Sequence, residues 1–226
     1  MRYVTPLFVR SPGGRSGTSL MMEILGSSDK IAFDKIHPYE SRVFSYFFRL
    51  VQLPFLEKGD RFLFRNDCLV SGPQNVMGPL PIKTAIFDGD PAAQNELLKS
   101  MWGCLSGLIH QKDSGVKYYA EKIPHDIPGK ILGSLPFKCI LLIRDPRDEL
   151  LSIVNFNKKR GVNGFGWRSD DDFESFFERF LSIRANYFSL VAHNPYNGLV
   201  VRYEDLVNAR KEVLAKLADY LDIDFI

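Results

Sequence analysis

A run of small, hydroxyl-bearing and basic residues, Ser11-Pro-Gly-Gly-Arg-Ser-Gly-Thr-Ser19, lies near the start of this sequence. It follows the apolar segment Val4 to Val9 and precedes a helical pattern that begins at Leu20. A strand, a Gly-rich turn and a helix N-terminus together bind anions, because unpaired backbone N–H groups converge at the positive end of the helix dipole. The sequence therefore predicts a P-loop-like phosphate-binding loop. The alternative interpretation is an ordinary βα connection that binds no ligand.

The residue types of this loop suggest separate tasks. Three glycines can adopt the positive φ angles that a tight loop needs: Gly13, Gly14 and Gly17. Three hydroxyl groups are predicted to donate hydrogen bonds to phosphate oxygens: those of Ser16, Thr18 and Ser19. Arg15 supplies a fixed positive charge. The loop differs from the Walker A pattern, because Ser16 stands where that pattern has Lys.

A second candidate anion site is the segment Arg144-Asp-Pro-Arg-Asp-Glu-Leu-Leu-Ser152, which follows an apolar strand and runs into a helix. Arg144 and Ser152 are about two helical turns apart, so both side chains can reach the same region. One large anion could lie between them. The alternative interpretation makes Arg144 an ion-pair partner of Asp148 and Ser152 a small residue at a helix contact.

With both segments, the chain resembles the sulfotransferase family, whose sulfuryl donor is 3′-phosphoadenosine 5′-phosphosulfate. Arg15-Ser-Gly-Thr-Ser19 is similar to the family's [KR]-S-G-T-[ST] loop, which grips the 5′-phosphosulfate. Arg144 and Ser152 match the family's Arg and Ser that bind the 3′-phosphate. Glu121-Lys-Ile-Pro-His125 resembles an E-K-[TI]-P segment, and Tyr203-Glu-Asp-Leu206 resembles a Y-E-D-L segment. The resemblance spans most of the chain.

The resemblance implies a metal-independent enzyme that moves a sulfuryl group to an acceptor hydroxyl or amine by in-line displacement and releases 3′,5′-adenosine bisphosphate. Arg15 and the other loop residues, together with Arg144 and Ser152, would bind the donor, with Gly14 and Gly17 as parts of the cradle. By the same resemblance, Arg15 would neutralise charge on the bridging oxygen and Lys122 would lie near the transferred group. The alternative for Lys122 is an ion pair with Glu121 or Asp126.

The catalytic base is expected in the segment Ile36-His-Pro-Tyr-Glu-Ser-Arg42, because several family members carry a Glu base beyond the loop cation. Glu40 is the first candidate, since a carboxylate in a desolvated cleft is suited to accept a proton. His37 and His125 are further candidates, because imidazole titrates near neutral pH. Alternatively, His37-Pro38 begins a helix, and Glu40 lies in its first turn to complement the helix dipole.

Length and composition are consistent with a single enzyme domain over residues 1–226. The formal charge of +2 disfavours nucleic acid or a polybasic membrane anchor as partner. The resemblance implies a small-molecule, glycan or natural-product hydroxyl acceptor, and a lipid-linked hydroxyl or a protein tyrosine stays open. No apolar stretch is long enough to span a membrane, and no signal-peptide pattern is evident. Cys68, Cys104 and Cys139 lack metal-ligand spacing and suggest reduced thiols in a cytoplasmic protein.

Alternating apolar strands and helices predict a three-layer α/β fold with a central parallel sheet and flanking helices. The predicted strands are Val4 to Val9, Val116 to Ala120, Lys138 to Ile143 and Leu199 to Arg202. A helix with an aromatic stripe is predicted to begin at Ser169 or Asp170, and the last helix to span Ala209 to Leu221. Pro54 to Pro91 is rich in Gly and Pro, and is expected to form an irregular cap where acceptors enter.

Two other functions stay open at this point: a small-molecule kinase that uses the same loop with ATP and Mg²⁺, and a non-catalytic nucleotide-binding module. The strand before Arg144 does not end in the carboxylate that holds Mg²⁺ in such kinases. Family members usually continue past the Y-E-D-L helix with a segment that closes over the nucleotide. That segment is expected to be absent here, as in a truncated chain, a minimal member, or a site completed by a partner.

Overall fold

A five-stranded parallel sheet forms the centre of the protein in the part of the chain that this computed structural model describes, residues 3–52, 91–123, 135–168 and 171–225. Its strands are β1 (Thr5–Arg10), β2 (Ile31–Ala32), β3 (Tyr118–Lys122), β4 (Lys138–Ile143) and β5 (Leu199–Arg202). They are arranged in the order β2-β3-β1-β4-β5, and every neighbouring pair is parallel. The first strand of the chain therefore lies at the centre of the sheet.

Helices connect these strands. Within the described ranges they are α1 (Thr18–Leu25), α2 (Val43–Gln52), α3 (Pro91–Lys112), α4 (Pro146–Arg160), α5 (Phe173–His193), α6 (Tyr203–Asn208) and α7 (Arg210–Leu221). Helix α4 begins where Asp145 accepts a hydrogen bond from the Arg147 backbone N–H (2.9 Å), and Pro146 occupies its first turn. The Asp172 carboxylate caps α5 by accepting from the Ser175 N–H (2.8 Å).

Both faces of the sheet are buried, because alternate residues of each strand point to opposite sides. Leu7 and Val9 of β1 pack with α1, α6 and α7 in one apolar cluster. Phe8, between them, packs with α2 and α3 in the other cluster. The protein therefore has three layers, which confirms the predicted α/β fold class.

The sheet topology brings three strand ends together. β1 lies between β3 and β4, with Val9 opposite Lys122 and Arg10 opposite Leu141. The chain leaves β1 towards β2 and β3 on one side, whereas β4 and β5 lie on the other. Parallel α/β sheets bind ligands at such a switch point, outside the carboxyl ends of the strands.

The predicted elements agree with the observed ones within a few residues, with instructive differences. Strand β3 extends to Lys122, two residues beyond the predicted end, so both Glu121 and Lys122 lie on the strand itself. Helix α5 begins at Phe173 rather than at Ser169 or Asp170, which lie outside the described residues. The short edge strand β2 had no clear pattern in the sequence, because two residues are too few to show alternation.

Several sequence predictions fall partly or wholly outside the described ranges. These include nearly all of the proposed cap from Pro54 to Pro91, together with His125 and Cys68. Cys104 is an exposed free thiol, and Cys139 is a buried one. Among the described helices, none has the length and apolar character that a bilayer crossing requires.

Candidate functional site

The phosphate loop joins β1 to α1, and its backbone conformation is set at two residues. Gly17 has a φ of 91° and is the N-cap of α1, while Arg15 has a φ of 69°. Gly17 has no side chain to cap the helix, so the N–H groups of the first turn remain oriented toward a possible anion. Of the three loop glycines, only Gly17 adopts the positive φ that the sequence suggested for all of them.

Gly14 is required for a different reason, which is close packing. A Cβ atom at Gly14 would lie 2.1 Å from Cδ1 of Phe165, well inside any van der Waals contact. Phe165 belongs to the turn after α4, and that turn is held by Asn157, whose side chain accepts from the Gly164 N–H at 3.1 Å. Gly14 does not use the positive φ that is open to a glycine, and its lack of a side chain instead lets an aromatic ring approach the loop.

Tyr203 and Glu204 brace the loop from the end of β5. A Cβ at Gly17 would lie 2.4 Å from Cδ2 of Tyr203, and the guanidinium carbon of Arg144 lies 4.1 Å from the centre of the same ring. The Glu204 carboxylate accepts a hydrogen bond from the Asp145 N–H at 3.0 Å. These two residues thus support both the phosphate loop and the end of β4.

Arg15 and Arg144 connect the phosphate loop to the end of β4 and to α4 across the switch point. Nε of Arg15 donates to Oγ of Ser152 at 3.0 Å, and its guanidinium carbon lies 4.7 Å from the centre of the Phe156 ring. Nη1 of Arg144 donates to the Arg15 carbonyl at 2.8 Å. Nε of Arg144 is buried without a hydrogen-bond partner among the described residues. This arrangement replaces the alternative in which Arg144 pairs with Asp148.

A groove of about 730 Å³ opens beside these residues, along the exposed face of α4. Its lining includes four basic side chains, those of Arg15, Arg144, Lys159 and Arg160. Asp148 is the acidic residue of the lining, and Phe156 contributes an aromatic surface. The excess of positive charge suits an anionic ligand with an apolar or aromatic part.

Lys122 lies at the end of β3 and connects the loop to the segment that precedes α2. Its Nζ donates to Oγ of Ser19 at 2.9 Å and to the Pro38 carbonyl at 2.5 Å. Burial lowers the pKa of Lys122, and the nearby Glu40 charge opposes that shift. Lys122 therefore contacts the loop rather than forming an ion pair with the neighbouring Glu121. Its other alternative partner, Asp126, lies outside the described residues.

Glu121 points to the opposite face of the sheet and caps α2. Its two carboxylate oxygens each accept from the Phe44 N–H at 3.0 Å, and one also accepts from the Ser45 N–H at 3.3 Å. Burial raises the pKa of Glu121 to about 7, although these N–H groups oppose the shift. Two consecutive residues of β3 thus fix the segment before α2. Lys122 contacts this segment at Pro38, and Glu121 contacts the start of the helix.

Two of the base candidates, Glu40 and His37, lie on this segment before α2, whereas the third, His125, lies outside the described residues. The side chain of Glu40 is 39% exposed and forms an ion pair with Arg42 at 2.7 Å, rather than lying in the expected desolvated cleft. The His37 ring is exposed and packs edge-on against Tyr39, with 5.6 Å between ring centres. No described helix begins at His37, because α2 starts at Val43.

Ser16 is the loop residue whose side chain faces inward. It is fully buried, and its hydroxyl is shared between the Gly13 carbonyl, at 2.8 Å, and the Glu149 carboxylate. Glu149 in turn accepts from Nε of Arg184 at 2.9 Å. In this arrangement the Ser16 hydroxyl does not face the anion site, whereas its backbone N–H remains part of the loop.

Residues 13–226 match the sulfotransferase domain family. The chain belongs to this family. Among solved structures, this sulfotransferase is similar to the sulfotransferase domain of the Synechococcus PCC 7002 olefin synthase, with a TM-score of 0.51 and 18% identity over 100% of this chain and 76% of that one. It is also similar to mouse sulfotransferase SULT7A1 complexed with PAP, with a TM-score of 0.50 and 15% identity over 98% of this chain and 59% of the mouse chain. No curated protein sequence matches significantly.

Sequence reasoning missed several residues that shape this sulfotransferase site. Glu149, Ile153 and Asn157 form the buried stripe of α4, and Arg184 lies on the buried stripe of α5. Opposite charges on the apolar faces of two helices were a visible signal of a buried ion pair. The contacts of Phe165 with Gly14 gave no such signal. Among the described residues, no cluster of His, Cys, Asp and Glu has a metal-binding arrangement.

Proposed function

We propose that this sulfotransferase moves a sulfuryl group from 3′-phosphoadenosine 5′-phosphosulfate to an acceptor hydroxyl. The acceptor oxygen forms a bond to sulfur, and the bond between sulfur and the bridging phosphate oxygen breaks. The products are the sulfated acceptor and 3′,5′-adenosine bisphosphate, and the acceptor proton passes to a base. The observation that carries the proposal is the convergence of the phosphate loop, Lys122 and the Arg144–Ser152 pair at one edge of the sheet.

The described residues fit a donor with two separate phosphate groups. The loop N–H groups at the start of α1 suit the 5′-phosphosulfate, with Thr18 and Ser19 as hydroxyl donors. Arg144 and Ser152 suit the 3′-phosphate, and the unpaired buried Nε of Arg144 is a ready donor. The basic groove beside them offers Phe156 as an apolar surface for a base. The PAP complex of the mouse relative supports this choice of nucleotide.

In the proposed reaction the cations of the loop stabilise charge rather than exchange protons. Arg15 would neutralise negative charge on the bridging oxygen as the bond to sulfur breaks. Lys122, held between Ser19 and Pro38, would lie beside the transferred group. The Lys122 ammonium would donate a hydrogen bond to the sulfuryl oxygens, and the burial that lowers its pKa makes its N–H a stronger hydrogen-bond donor.

We propose Glu40 as the base, with His37 and His125 as the alternatives. The proposal is supported by the position of Glu40 on the segment that Lys122 contacts at Pro38, close to the end of β3. Arg42 donates to Oε2 of Glu40, so the acceptor proton would pass to the other carboxylate oxygen or to Oε2 after this ion pair opens. The acceptor class proposed is a small molecule, a glycan or a natural-product hydroxyl. A cytoplasmic location is likewise part of the proposal.

The test compares nucleotides in the absence and presence of divalent metal. Only a ligand that binds the native state raises the melting temperature, by RT ln(1 + [L]/Kd) in free energy. We expect 3′,5′-adenosine bisphosphate to stabilise the protein in EDTA, and ATP with Mg²⁺ to stabilise it less. Equal or greater stabilisation by ATP with Mg²⁺ would favour the kinase alternative and reject the proposed function. Transfer of labelled sulfate to a panel of hydroxyl acceptors then separates an enzyme from a binding module.

A further inference from the structure

A buried network lies beneath the phosphate loop and joins it to two helices. Ser16 and Glu149 are fully buried, and Arg184 is 5% exposed. The Ser16 hydroxyl donates to one Glu149 carboxylate oxygen, and Nε of Arg184 donates to the other at 2.9 Å. The loop, α4 and α5 are therefore connected through one carboxylate.

The Arg184 side chain is held by Phe180 as well as by Glu149. Its guanidinium carbon lies 3.6 Å from the centre of the Phe180 ring, and Nη1 donates to the Phe180 carbonyl at 3.5 Å. Nη2 lies 3.3 Å from the position that a Cβ would take at Gly13. The guanidinium therefore lies directly under the loop backbone, and Gly13 leaves room for it.

A buried ion pair of this kind adds little to the free energy of unfolding. Desolvation of two charges often exceeds their attraction, and apolar replacements are frequently as stable. Removal of one partner is different, because it leaves the other charge buried and unpaired. An ion pair held at the base of a ligand loop is thus better explained by the geometry it imposes than by the stability it adds.

We propose that Glu149 and Arg184 are positioning residues for donor binding, which act through Ser16 to fix the phosphate loop in its anion-binding conformation. The network also directs the Ser16 hydroxyl away from the ligand, so that Ser16 contributes its backbone N–H alone. The inference rests on the proposed function in one respect, the identity of the ligand. The positioning of the loop itself does not depend on that identity.

A double-mutant cycle on the affinity for 3′,5′-adenosine bisphosphate separates positioning from direct contact. Ser16→Ala and Glu149→Gln are each expected to raise the Kd by about tenfold, and the double variant by no more than the larger single effect, because both changes break one pathway. Multiplicative effects of the two changes would mean that the Ser16 hydroxyl binds the ligand directly. Unchanged Kd values, with a lower melting temperature, would mean that the network is merely structural. Either result overturns the proposal.

The matched control is the ion pair between Asp171 and Arg179, which also involves α5; Arg179 donates to Asp171 and to the Gly166 carbonyl rather than to residues 13–17. Asp171→Asn is expected to lower the melting temperature without a change in Kd. Arg184→Lys, which keeps the charge but loses the planar fork, is expected to retain part of the affinity that Arg184→Met loses. Ser16→Ala leaves the Glu149–Arg184 ion pair intact. Its Kd alone therefore tests the proposal if Glu149→Gln does not fold.

A readout without ligand distinguishes the failure of this inference from the failure of the proposed function. Amide hydrogen exchange at residues 13–17 is expected to accelerate in Glu149→Gln and in Ser16→Ala, but not in Asp171→Asn. If the wild-type protein bound no 3′,5′-adenosine bisphosphate, the proposed function would be rejected. The amide hydrogen exchange rates of residues 13–17 would still decide whether the network positions the loop. Unaltered exchange at these amides would reject the positioning role.

Discussion

Arg15 and Ser152, which are 137 residues apart in the sequence, are joined by a hydrogen bond of 3.0 Å from Nε to Oγ. The contact links the loop that would hold the 5′ end of the donor to the helix that would hold its 3′-phosphate. Arg144 makes a second connection between these parts by donating a hydrogen bond to the Arg15 carbonyl. The two proposed phosphate sites are therefore neighbours that share a cation between them.

Arg15→Ala should reduce turnover more than donor affinity. The backbone cradle and Arg144 still hold the nucleotide, while the charge that stabilises the leaving oxygen is lost. We expect a loss of roughly 10²–10³-fold in the single-turnover rate, the magnitude seen when one such charge-stabilising donor is removed. The Kd for 3′,5′-adenosine bisphosphate should change by less than about tenfold, or 1.4 kcal/mol. Arg15→Lys should restore part of the rate, and equal losses in rate and affinity would show that Arg15 only binds the ground state.

Arg144→Ala should weaken nucleotide binding by on the order of 1.5–3 kcal/mol, because a charge-assisted contact to the 3′-phosphate is lost. Isothermal titration in EDTA measures this directly. Arg147→Ala is the matched control, since it removes the same charge from the same helix start. The Arg147 side chain is 90% exposed and pairs with Asp145 outside the groove lining. Similar losses in both variants would indicate a general charge effect rather than a specific contact.

Glu40→Gln should nearly abolish transfer and leave nucleotide binding and melting temperature close to wild type. Gln keeps the shape but cannot take a proton, so much of the roughly 10²–10⁴-fold contribution of general-base catalysis is lost. Arg42→Ala removes the ion-pair partner of Glu40 and should keep activity or raise it, because the carboxylate becomes free. Full activity of Glu40→Gln, with inactive His37→Ala or His125→Ala, would assign the base to that histidine.

Glu121 should make stability depend on pH in the direction opposite to most carboxylates. Its pKa is raised from 4.5 to about 7 by burial, so the folded protein holds a proton that the unfolded chain releases. The contribution of Glu121 is therefore greatest at low pH and is lost as pH rises from about 4.5 to about 7. Urea unfolding at several pH values should show a flatter profile for Glu121→Gln. The slopes should differ by at most about 1.4 kcal/mol per pH unit, the value for one proton. Identical slopes would contradict the raised pKa.

Gly17→Ala should destabilise the protein by at least about 1–2 kcal/mol, the cost of a left-handed backbone for a residue with a Cβ. The collision with Tyr203 would add to this cost. Gly107→Ala is a control of opposite sign: it lies in α3, and nothing lies within 4 Å of the added Cβ. That change should stabilise the helix by roughly 0.5–1 kcal/mol. If Gly17→Ala proved as stable as wild type, the loop conformation described here would be wrong.

The sequence was informative wherever function depends on local order. A strand, a glycine-rich turn and a helix start are contiguous, so the loop around Arg15 and the spacing of Arg144 and Ser152 could be predicted from neighbouring residues. The positions of Glu149 and Arg184 on apolar helix faces hinted at their burial, but their contact with Ser16 beneath the loop could not be predicted, because only tertiary packing brings the three residues together. The same holds for Glu121, whose capping of α2 joins residues 77 positions apart.

The contacts of Tyr203 and Glu204 have a consequence for protein synthesis. The phosphate loop is synthesised before β5, yet its Gly17 packs against Tyr203, and the end of β4 beside it is held by Glu204. A nascent chain that stops before residue 203 can form β1 and α1 but has no support for the loop from the end of β5. Competence to bind the nucleotide should therefore arise only once β5 has been synthesised and has joined the sheet beside β4.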